Sequence, residues 1–264
     1  MQVETLKSNV SDNFFYLVHD GAIGVLIDPI DSATAIAAVE AAGVDLEWVV
    51  NTHFHPDHVG GNDAVLDHFA DAKLCAGADH EMISGKHPID RVLEAGVPFE
   101  VGTFGFDILD TPGHTAGHIS LLSGGHLFSG DVIFVGGAGN CRFGGDPGVL
   151  FRTYRDVLAA LPDATKFYPG HDYSMRNIEF ALSIEPNRDE TRHMLELARK
   201  ATRAPVLTTL GEEREYNPFF RFDDPALQAA LQSQHAGLWS DQRALSESDD
   251  EAAFRTARAL RNSW

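Results

Sequence analysis

Cysteine is scarce in this chain, whose 264 residues include only two, Cys75 and Cys141. Two cysteines cannot form the disulfide framework of a small secreted protein, so we expect a reducing, cytoplasmic location. Long apolar runs are also lacking, and no stretch is long and apolar enough to span a membrane. The first residues, MQVETLKSNVSDNF, contain neither a basic nor an apolar region, and we therefore expect no secretion signal.

Basic residues are few: the chain has 20 Lys and Arg but 39 Asp and Glu, which gives a net charge of −19. Such a charge argues against binding to nucleic acids or to membrane surfaces. The surplus acidic residues are typical of a solvated surface. An anionic substrate would therefore need a local cluster of basic residues. We expect a small-molecule substrate and a monomer or small homo-oligomer.

Patterns of apolar residues divide the chain into two regions. The first two-thirds alternates β-prone and helical segments, whereas the patterns typical of strands cease after residue 172. Beyond that point, helices are predicted over residues 173–184, 187–203, 225–235 and 250–262. We predict a layered α/β domain over residues 1–172 and a helical domain over residues 173–264.

Within the first region, DSATAIAAVEAAG predicts a helix with Ser32 as N-cap and Gly43 at its C-terminal end. A second helix is predicted from Asp63 to Ala70, and DPGVLFRTYRDVLAALP predicts a third that ends before Pro162. Strands are predicted in NFFYLVH, GVLID, LEWVVNTH, KLCAG and TKFYPGHD, and in a meander between FEVGTFGFDILD and HLFSGD.

Metal-binding residue types are dense in the segment HFHPDH, which contains His53, His55, Asp57 and His58. Because Pro56 excludes a continuous helix through the segment, we predict a strand end that becomes a loop. Alternate side chains of a strand point to the same side, so the first two histidines can share one ion. Asp57 and His58 lie beyond the turn and can reach a second ion. Burying this set without a cation would be costly.

Three further His and Asp residues follow apolar segments, namely His114 in DTPGHTAGH, Asp131 in LFSGD and His171 in FYPGHD. Sites in layered α/β folds collect at strand ends, so these loops are predicted to converge. Seven ligands are too many for one tetrahedral ion but suit two ions that share Asp131. Two such ions would lower the pKa of a bridging water and polarise a carbonyl, which is typical of a hydrolase. Imidazole with carboxylate suits Zn, Fe or Mn.

The other histidines have an ordinary explanation as surface or capping residues. They are His19, His68, His80, His87, His126, His193 and His235. A supporting or structural role is predicted for His118. Cys75 and Cys141 stand outside the ligand pattern and are interpreted as non-ligands.

This order of residues resembles the metallo-β-lactamase superfamily, whose pattern is T-H-x-H-x-D-H followed by His, Asp and His. The resemblance implies an α/β fold, an αββα sandwich with a dinuclear metal site between its sheets. Further segments, NFFYLV, IDP, PGHTAGHI, FSGDVIFVGG, YPGHDY and EYNPFFR, are similar to the glyoxalase II family, the hydroxyacylglutathione hydrolases. That family hydrolyses S-D-lactoylglutathione to D-lactate and glutathione, which implies a role in methylglyoxal detoxification.

The resemblance also implies roles for single residues. The first divalent ion would be held by His53, His55 and His114, and the second by Asp57, His58 and His171, with Asp131 as the bridge. Asp57 and Asp131 would be the catalytic carboxylates, and Asp57 would orient the attacking hydroxide and accept its proton. Tyr173 matches a tyrosine of the family that contacts glutathione.

Near the C-terminus, RALRNSW is similar to the family's R-x-x-K segment, with Arg261 in place of the Lys. On a helix, Arg258 and Arg261 are neighbours at the edge of an apolar face. Arginine binds a carboxylate through its fork of donors, so both are predicted to contact glutathione. A solvated basic flank is the alternative explanation.

The segment GGAGNCRFGGDPG departs from the family pattern G-C-G-K/R-x-x-E-G. Ala138 stands where Cys is common, and the segment is one residue longer. The family's basic residue maps either to Arg142 or, with another register, to Asn140, and Phe143 stands where a Tyr is expected. The change leaves the acyl group and the thiol open.

We predict a metal-dependent thioester hydrolase acting on S-D-lactoylglutathione. One alternative is a hydrolase of another acyl thioester. A second is a glutathione persulfide dioxygenase with one iron, but that family lacks the helical tail with NPFFR and the Arg pair. The third is a non-catalytic metal-binding protein, which the complete ligand set argues against.

Overall fold

The computed structural model describes residues 1–200 and 207–264, which form two compact units. The first unit consists of Met1–Thr111, Ala116–Gly130 and Tyr168–His171. The second consists of Pro112–Thr115, Asp131–Phe167 and Asp172–Trp264. The predicted boundary divides the chain once, at residue 172, whereas each compact unit combines several separate segments of the chain. The predicted boundary therefore stays a prediction.

A six-stranded sheet forms one layer of the first unit. Its neighbouring strands follow chain order as β1 (Gln2–Lys7), β2 (Phe14–His19), β3 (Ile23–Ile27), β4 (Asp45–Asn51), β5 (Lys73–Ala76) and β6 (Arg91–Val92). Strands β1, β2 and β3 pair antiparallel, whereas β3 to β6 pair parallel. Parallel neighbours need crossover connections. These contain α1 (Ser32–Ala42) between β3 and β4, and α2 (Pro56–Val59) with α3 (Asn62–His68) between β4 and β5.

The remaining strands follow along the chain. They are β7 (Phe99–Val101), β8 (Phe104–Asp110), β9 (Ile119–Ser123), β10 (His126–Gly130), β11 (Ile133–Phe134), β12 (Gly137–Ala138) and β13 (Lys166–Pro169). A second sheet has the order β13-β10-β9-β8-β7, and its strands from β7 to β10 form the predicted antiparallel meander. The turn between β9 and β10 uses Gly124 and Gly125, whose φ angles of 55° and 81° suit a tight hairpin.

The alternation of side chains along β2 explains how the layers pack. Phe14 and Tyr16 face the core between the two sheets, where residues such as Phe106 and Phe128 meet them. Phe15 and Leu17 point to the opposite face and join the core under α1 and α3. Burying each of these large side chains contributes about 1.5–3 kcal/mol. The first unit thus has the order helix, sheet, sheet, which matches three of the four layers predicted from the sequence.

The ends of α1 test the predicted caps. The N-cap is Asp31, whose side chain accepts a hydrogen bond from the Thr34 backbone N–H, so the prediction of Ser32 is wrong by one residue. A carboxylate at this position satisfies a donor and also favours the positive end of the helix dipole. Gly43 at the C-cap has φ 64°, which confirms the predicted end of the helix.

The second unit contains the β11–β12 hairpin and seven α-helices in the part of the chain that is described. The helices are α4 (Pro147–Arg152), α5 (Ser174–Ile184), α6 (Asp189–Lys200), α7 (Leu210–Tyr216), α8 (Pro225–Gln234), α9 (Ala236–Ala244) and α10 (Asp249–Ser263). The end of the helix predicted over 187–203 lies outside the described residues from position 201 onward. After α4 the chain continues as a π-helical turn, Thr153–Val157, and a 3-10 turn, Leu158–Ala160, instead of one long α-helix.

No helix within residues 1–200 and 207–264 combines the length and the apolar composition that crossing a membrane requires.

Candidate metal centre and substrate-binding region

The chain changes direction sharply after β4. Pro56 is the first residue of α2, a position where its missing N–H costs nothing, so the predicted loop is in fact a one-turn helix. Close packing fixes this turn, because a Cβ on Gly61 would lie 1.9 Å from the Pro29 carbonyl oxygen. The turn presents His53 and His58, both fully buried, on either side of the proline.

The first two histidines of the segment face each other through ring nitrogens. His53 Nε2 and His55 Nδ1 lie 3.1 Å apart. Two nitrogens bound at about 2.0–2.1 Å to one tetrahedral ion would lie roughly 3.3 Å apart. The other nitrogen of His53, Nδ1, lies 2.9 Å from Thr52 Oγ1, which fixes the plane of the ring. The pair therefore fits two ligands of a single cation, as the spacing predicts.

A second group in the first unit consists of Asp57, His58 and His171, whose donor atoms lie within 4.8 Å of one another. His171 Nε2 is 3.2 Å from Asp57 Oδ2, and its Nδ1 is 3.1 Å from Asp12 Oδ1. A carboxylate on the outer nitrogen is the usual support of a metal-binding histidine. This donor chemistry, two imidazoles with one carboxylate, fits a divalent cation such as Zn²⁺, Fe²⁺ or Mn²⁺.

Asp28, a residue for which the sequence predicts no role, supports the same group. Its Oδ2 lies 2.9 Å from His58 Nδ1, and its two oxygens accept hydrogen bonds from the backbone N–H and the hydroxyl of Thr52. A carboxylate accepts only, so His58 carries its proton on Nδ1 and keeps Nε2 for a cation. Asp28 has a φ of 55°, a left-handed conformation that few non-glycine residues adopt. In the sequence, Asp28 is marked only by its place in the IDP segment, which is similar to the glyoxalase II family.

The second unit holds the other two predicted ligands, His114 and Asp131. His114 Nε2 lies 3.5 Å from Asp131 Oδ2. His114 Nδ1 donates a hydrogen bond of 2.7 Å to the Asn140 carbonyl oxygen, and Nε2 is therefore the nitrogen that faces the carboxylate. Both residues are almost completely buried. Each unit thus brings together the predicted ligands that it contains.

Residues 132–139 link Asp131 to Asn140, and buried side chains bind the backbone of this segment. We call these side chains the clamp: Tyr154, Asn177, Glu213, Asn217 and Arg258. Together they bind backbone groups of Val132, Val135, Gly136, Gly137, Ala138 and Gly139. Buried backbone groups need such partners, because leaving them unpaired is costly.

The four predicted substrate-binding residues have different surroundings. Arg142 is exposed and donates to the Asn262 carbonyl oxygen at 2.8 Å. Arg261 is half-buried and donates through Nε to Asn177 Oδ1 at 2.9 Å. Tyr173 is half-buried at the start of α5, with its ring 5.2 Å from that of Phe134. These three residues keep some exposure to solvent.

Arg258 differs, since only 4% of its surface is exposed. Its guanidinium binds the carbonyl oxygens of Ala138 and Gly139 and lies 5.3 Å from the centre of the Phe219 ring. Burial lowers the pKa of Arg258 to about 10, so the side chain stays charged at neutral pH. The structure gives Arg258 a backbone-binding role that the sequence does not predict, while its contact with substrate stays a prediction.

Arg142, Arg258 and Arg261 form no ion pair with any residue that the structure describes, and the same holds for the exposed Arg152 and Arg199. Arg176 donates a hydrogen bond to the Trp264 backbone oxygen. Acidic residues outnumber basic ones 39 to 20, so unpaired arginines stand out. Arg176 is exposed, and the sequence predicts no role for it. The pKa of Arg261 is lowered first by the burial of its own guanidinium and then by the positive charge of Arg176. Unneutralised positive charge of this kind favours an anionic ligand.

His118 stacks on His53 with ring centres 5.0 Å apart, and its Nδ1 lies 2.9 Å from Thr111 Oγ1. A supporting role of this kind is what the sequence predicts. Among the described residues, the histidines given an ordinary explanation and both cysteines belong to no group of three metal-binding side chains. Burial raises the pKa of both thiols, that of Cys141 to about 12, so neither is a ready thiolate ligand.

Comparison with known proteins identifies the two halves of the chain. Residues 9–171 match the metallo-beta-lactamase superfamily, and residues 172–264 match the hydroxyacylglutathione hydrolase C-terminus. A hydroxyacylglutathione hydrolase of Nitrosococcus oceani is 36% identical over 100% of both chains. One of a Polaromonas species is 39% identical over 97% of both. The cytoplasmic hydroxyacylglutathione hydrolase of Arabidopsis thaliana is 36% identical over 84% of this chain and 89% of its own.

Solved structures show the same fold. ETHE1 from Myxococcus xanthus is 26% identical and covers 90% of this chain and 92% of its own, with a TM-score of 0.64. TTHA1623, in a di-iron-bound form, is 27% identical and covers 82% of this chain and 99% of its own, with a TM-score of 0.60. The α/β class, the metallo-β-lactamase fold and the helical C-terminal region predicted from the sequence are confirmed.

Proposed function

The chain belongs to the hydroxyacylglutathione hydrolase family of the metallo-β-lactamase superfamily, and on that premise we propose that it hydrolyses S-D-lactoylglutathione to D-lactate and glutathione. The observation that carries the proposal is the end-to-end match, because the relatives agree with this chain in the helical C-terminal region as well as in the metal-binding domain. The same family membership supports the role in methylglyoxal detoxification.

The proposed metal site uses all seven predicted ligands. His53, His55 and His114 are proposed for one ion, Asp57, His58 and His171 for the other, and Asp131 for the bridge. We propose zinc, with iron or manganese as the alternatives that metal analysis distinguishes; the imidazole and carboxylate donors support all three. Two bound cations would supply hydroxide at neutral pH and polarise the thioester carbonyl.

The chain's own residues then have distinct tasks. Asp57, half-buried beside His171, is proposed to orient the attacking oxygen and to accept its proton. Water adds to the carbonyl carbon, the C–S bond breaks, and the sulfur leaves with the electron pair. The thiolate needs little help from an acid, because a thiol has a pKa of about 8.5.

The glutathione part of the substrate is proposed to contact Tyr173, Arg142, Arg261 and Arg258. Among the residues that the structure describes, no acidic side chain forms an ion pair with Arg142, Arg258 or Arg261, which supports binding of carboxylates at these positions. The four positions lie in the second unit, within the match to the family's C-terminal region except for Arg142. A cytoplasmic location is proposed as well, on the support of the Arabidopsis relative that is named cytoplasmic.

Two substitutions test the function. We expect Asp131→Ala and His58→Ala to lower thiol release from S-D-lactoylglutathione by at least about 100-fold, because each removes a metal ligand. Metal content, circular dichroism and thermal melting are measured on the same samples. Asp63→Ala, which removes a nearby carboxylate that is not a proposed ligand, serves as the matched control and should keep its turnover.

Turnover like that of the wild type in either pure, metal-analysed variant would contradict the mechanism. A panel of glutathione and non-glutathione thioesters then defines the acyl and thiol specificity. Oxygen uptake with glutathione persulfide, in the absence of thiol release from any thioester, would identify the persulfide dioxygenase instead.

A further inference from the structure

We propose that Arg258 is a positioning residue for the metal ligands Asp131 and His114, which it fixes through the backbone of Ala138 and Gly139. The inference rests on the proposed metal site, but it concerns how the protein shapes that site and not which substrate is cleaved. It assigns to the last helix, α10, a part in holding the metal centre of the enzyme.

The contacts of Arg258 point away from solvent. Its Nη1 donates to the carbonyl oxygens of Ala138 at 2.5 Å and of Gly139 at 3.2 Å. Its Nη2 donates to Asn262 Oδ1 at 3.2 Å, which holds the guanidinium in place on α10. A buried charged donor binds carbonyl oxygens more strongly than a neutral one. Through Nη1, the arginine is therefore bound to the backbone of residues 138–139.

That backbone lies directly against both ligands. A Cβ added to Gly139 would be 2.0 Å from the Asp131 carbonyl oxygen and 3.2 Å from His114 Cβ. The next residue, Asn140, accepts the hydrogen bond from His114 Nδ1 at 2.7 Å. A displacement of residues 138–140 would move the acceptor that sets the His114 ring and the packing that holds Asp131. Metal affinity depends on such outer hydrogen bonds.

The other members of the clamp bind earlier parts of the segment. Tyr154 and Asn217 bind the Gly137 carbonyl oxygen, and Glu213 binds the Gly136 N–H. Arg258, in contrast, binds the carbonyl oxygens of Ala138 and Gly139. Its loss would thus release the end of the segment that adjoins the ligands, while the beginning stays held.

The experiment measures metal affinity, which is independent of thioester turnover. Metal-free full-length protein is titrated with Zn²⁺ against a competing chelator. We expect Arg258→Met to weaken at least one of two equivalents by about 10- to 100-fold, the range typical of outer-sphere changes. Arg258→Lys, which keeps a charged donor, should recover most of the affinity.

Two matched variants on α10 separate the alternatives. Arg255→Met removes an arginine that pairs with Glu251 at 2.8 Å and touches neither Ala138 nor Gly139, so Zn²⁺ affinity should equal that of the wild type. Arg261→Met should also keep both equivalents of Zn²⁺ while raising KM for the glutathione thioester. Thermal melting of every metal-free variant checks that a lower affinity does not reflect unfolding.

Wild-type affinity for both equivalents in folded Arg258→Met, together with a raised KM, would overturn the proposal and leave Arg258 with its proposed substrate contact alone. If Arg258→Met does not fold, Arg258→Gln replaces it, since the shorter neutral side chain cannot reach the two carbonyl oxygens. The Zn²⁺ affinities of Arg258→Gln and the wild type are then compared in the same way. Absence of thioester turnover in zinc-loaded wild type would reject the proposed function while the affinity comparison still tests Arg258.

Discussion

At the scale of single residues, the geometry of the candidate site depends on a buried carboxylate behind one of its histidines. Asp28 is buried and receives hydrogen bonds from the backbone and the side chain of Thr52. The same carboxylate faces Nδ1 of His58, and the histidine is therefore held with Nε2 directed to the predicted cation. A ligand that is oriented before the metal binds loses less freedom on binding than a mobile one.

Asp28→Asn tests this orientation with little disturbance of the backbone, because asparagine tolerates the left-handed conformation that Asp28 adopts. The amide loses the negative charge and offers an acceptor only through one oxygen. We expect the Zn²⁺ affinity of the group with Asp57 and His58 to fall about 10- to 100-fold. Competition with a chelator measures it. Asp63→Asn is the control, and a wild-type affinity for Asp28→Asn would exclude the orienting role.

The proposed metal ligands could be singled out because their residue types cluster locally, whereas Asp28 could not. The spacing of His53, His55 and His58 appears within one short segment. Asp28 meets His58 only because β3 and β4 pair in parallel, with Ile27 opposite Val50, and this register depends on the folded sheet. Residue types at short range are visible in a sequence, but contacts across 30 positions are not.

At the scale of elements, length separates the helices of the C-terminal region that could be predicted from those that could not. The helices α5, α6, α8 and α10 have 10 to 15 residues each and show an apolar face in the sequence. The helix α7 has seven residues, too few for a periodic pattern, and its one local signal was the capping box of Thr209 with Glu212. The π-helical turn after α4 holds Tyr154, whose hydroxyl binds carbonyl oxygens of Val132 and Gly137. These partners of Tyr154 lie outside the helix, so the local sequence does not predict the π-helical turn.

Glu213 on α7 gives this element a dependence on pH. Burial raises the pKa of Glu213 to about 7, although hydrogen bonds from Tyr216, Thr208, Asn217 and Gly136 act in the opposite direction. A free glutamate has a pKa of about 4.3. The folded state thus favours the protonated acid, and this stabilising contribution is full below about pH 4 and is lost as the pH rises through about 7.

Glu213→Gln removes the titrating group, so the two proteins should respond differently to pH. We expect the free energy of unfolding of the wild type, relative to that of Glu213→Gln, to fall by on the order of 2 kcal/mol between about pH 5 and pH 8. Urea unfolding of the metal-free proteins measures it. Glu215→Gln, exposed on the same helix, should show no comparable trend. A constant difference across this pH range would mean that Glu213 does not titrate there.

At the scale of the whole molecule, the net charge of the protein has the same sign as the charge of the proposed substrate. The chain carries a net charge of −19, yet the proposed substrate is an anion through the carboxylates of glutathione. Arg142 and Arg261, which form no ion pair with a described residue, are proposed together with Arg176 as the local basic cluster that attracts the substrate. The need for such a cluster followed from composition alone. Its full membership did not, because Arg176 comes close to Arg261 only once α5 and α10 have folded.

Salt should separate the long-range field from the local cluster. The screening length falls from about 30 Å at 0.01 M to about 8 Å at 0.15 M ionic strength. Repulsion by distant acidic residues is thereby removed, whereas contacts with the arginines within a few ångströms persist. We expect KM for the glutathione thioester to fall about two- to threefold over this range, and more steeply in Arg261→Gln, where less attraction opposes the repulsion.

An uncharged thioester is the control and should show a KM independent of salt. A KM for the glutathione thioester that rises with salt would instead mean that the arginines outweigh the distant acidic residues even at low ionic strength, so that attraction reaches far beyond the site itself.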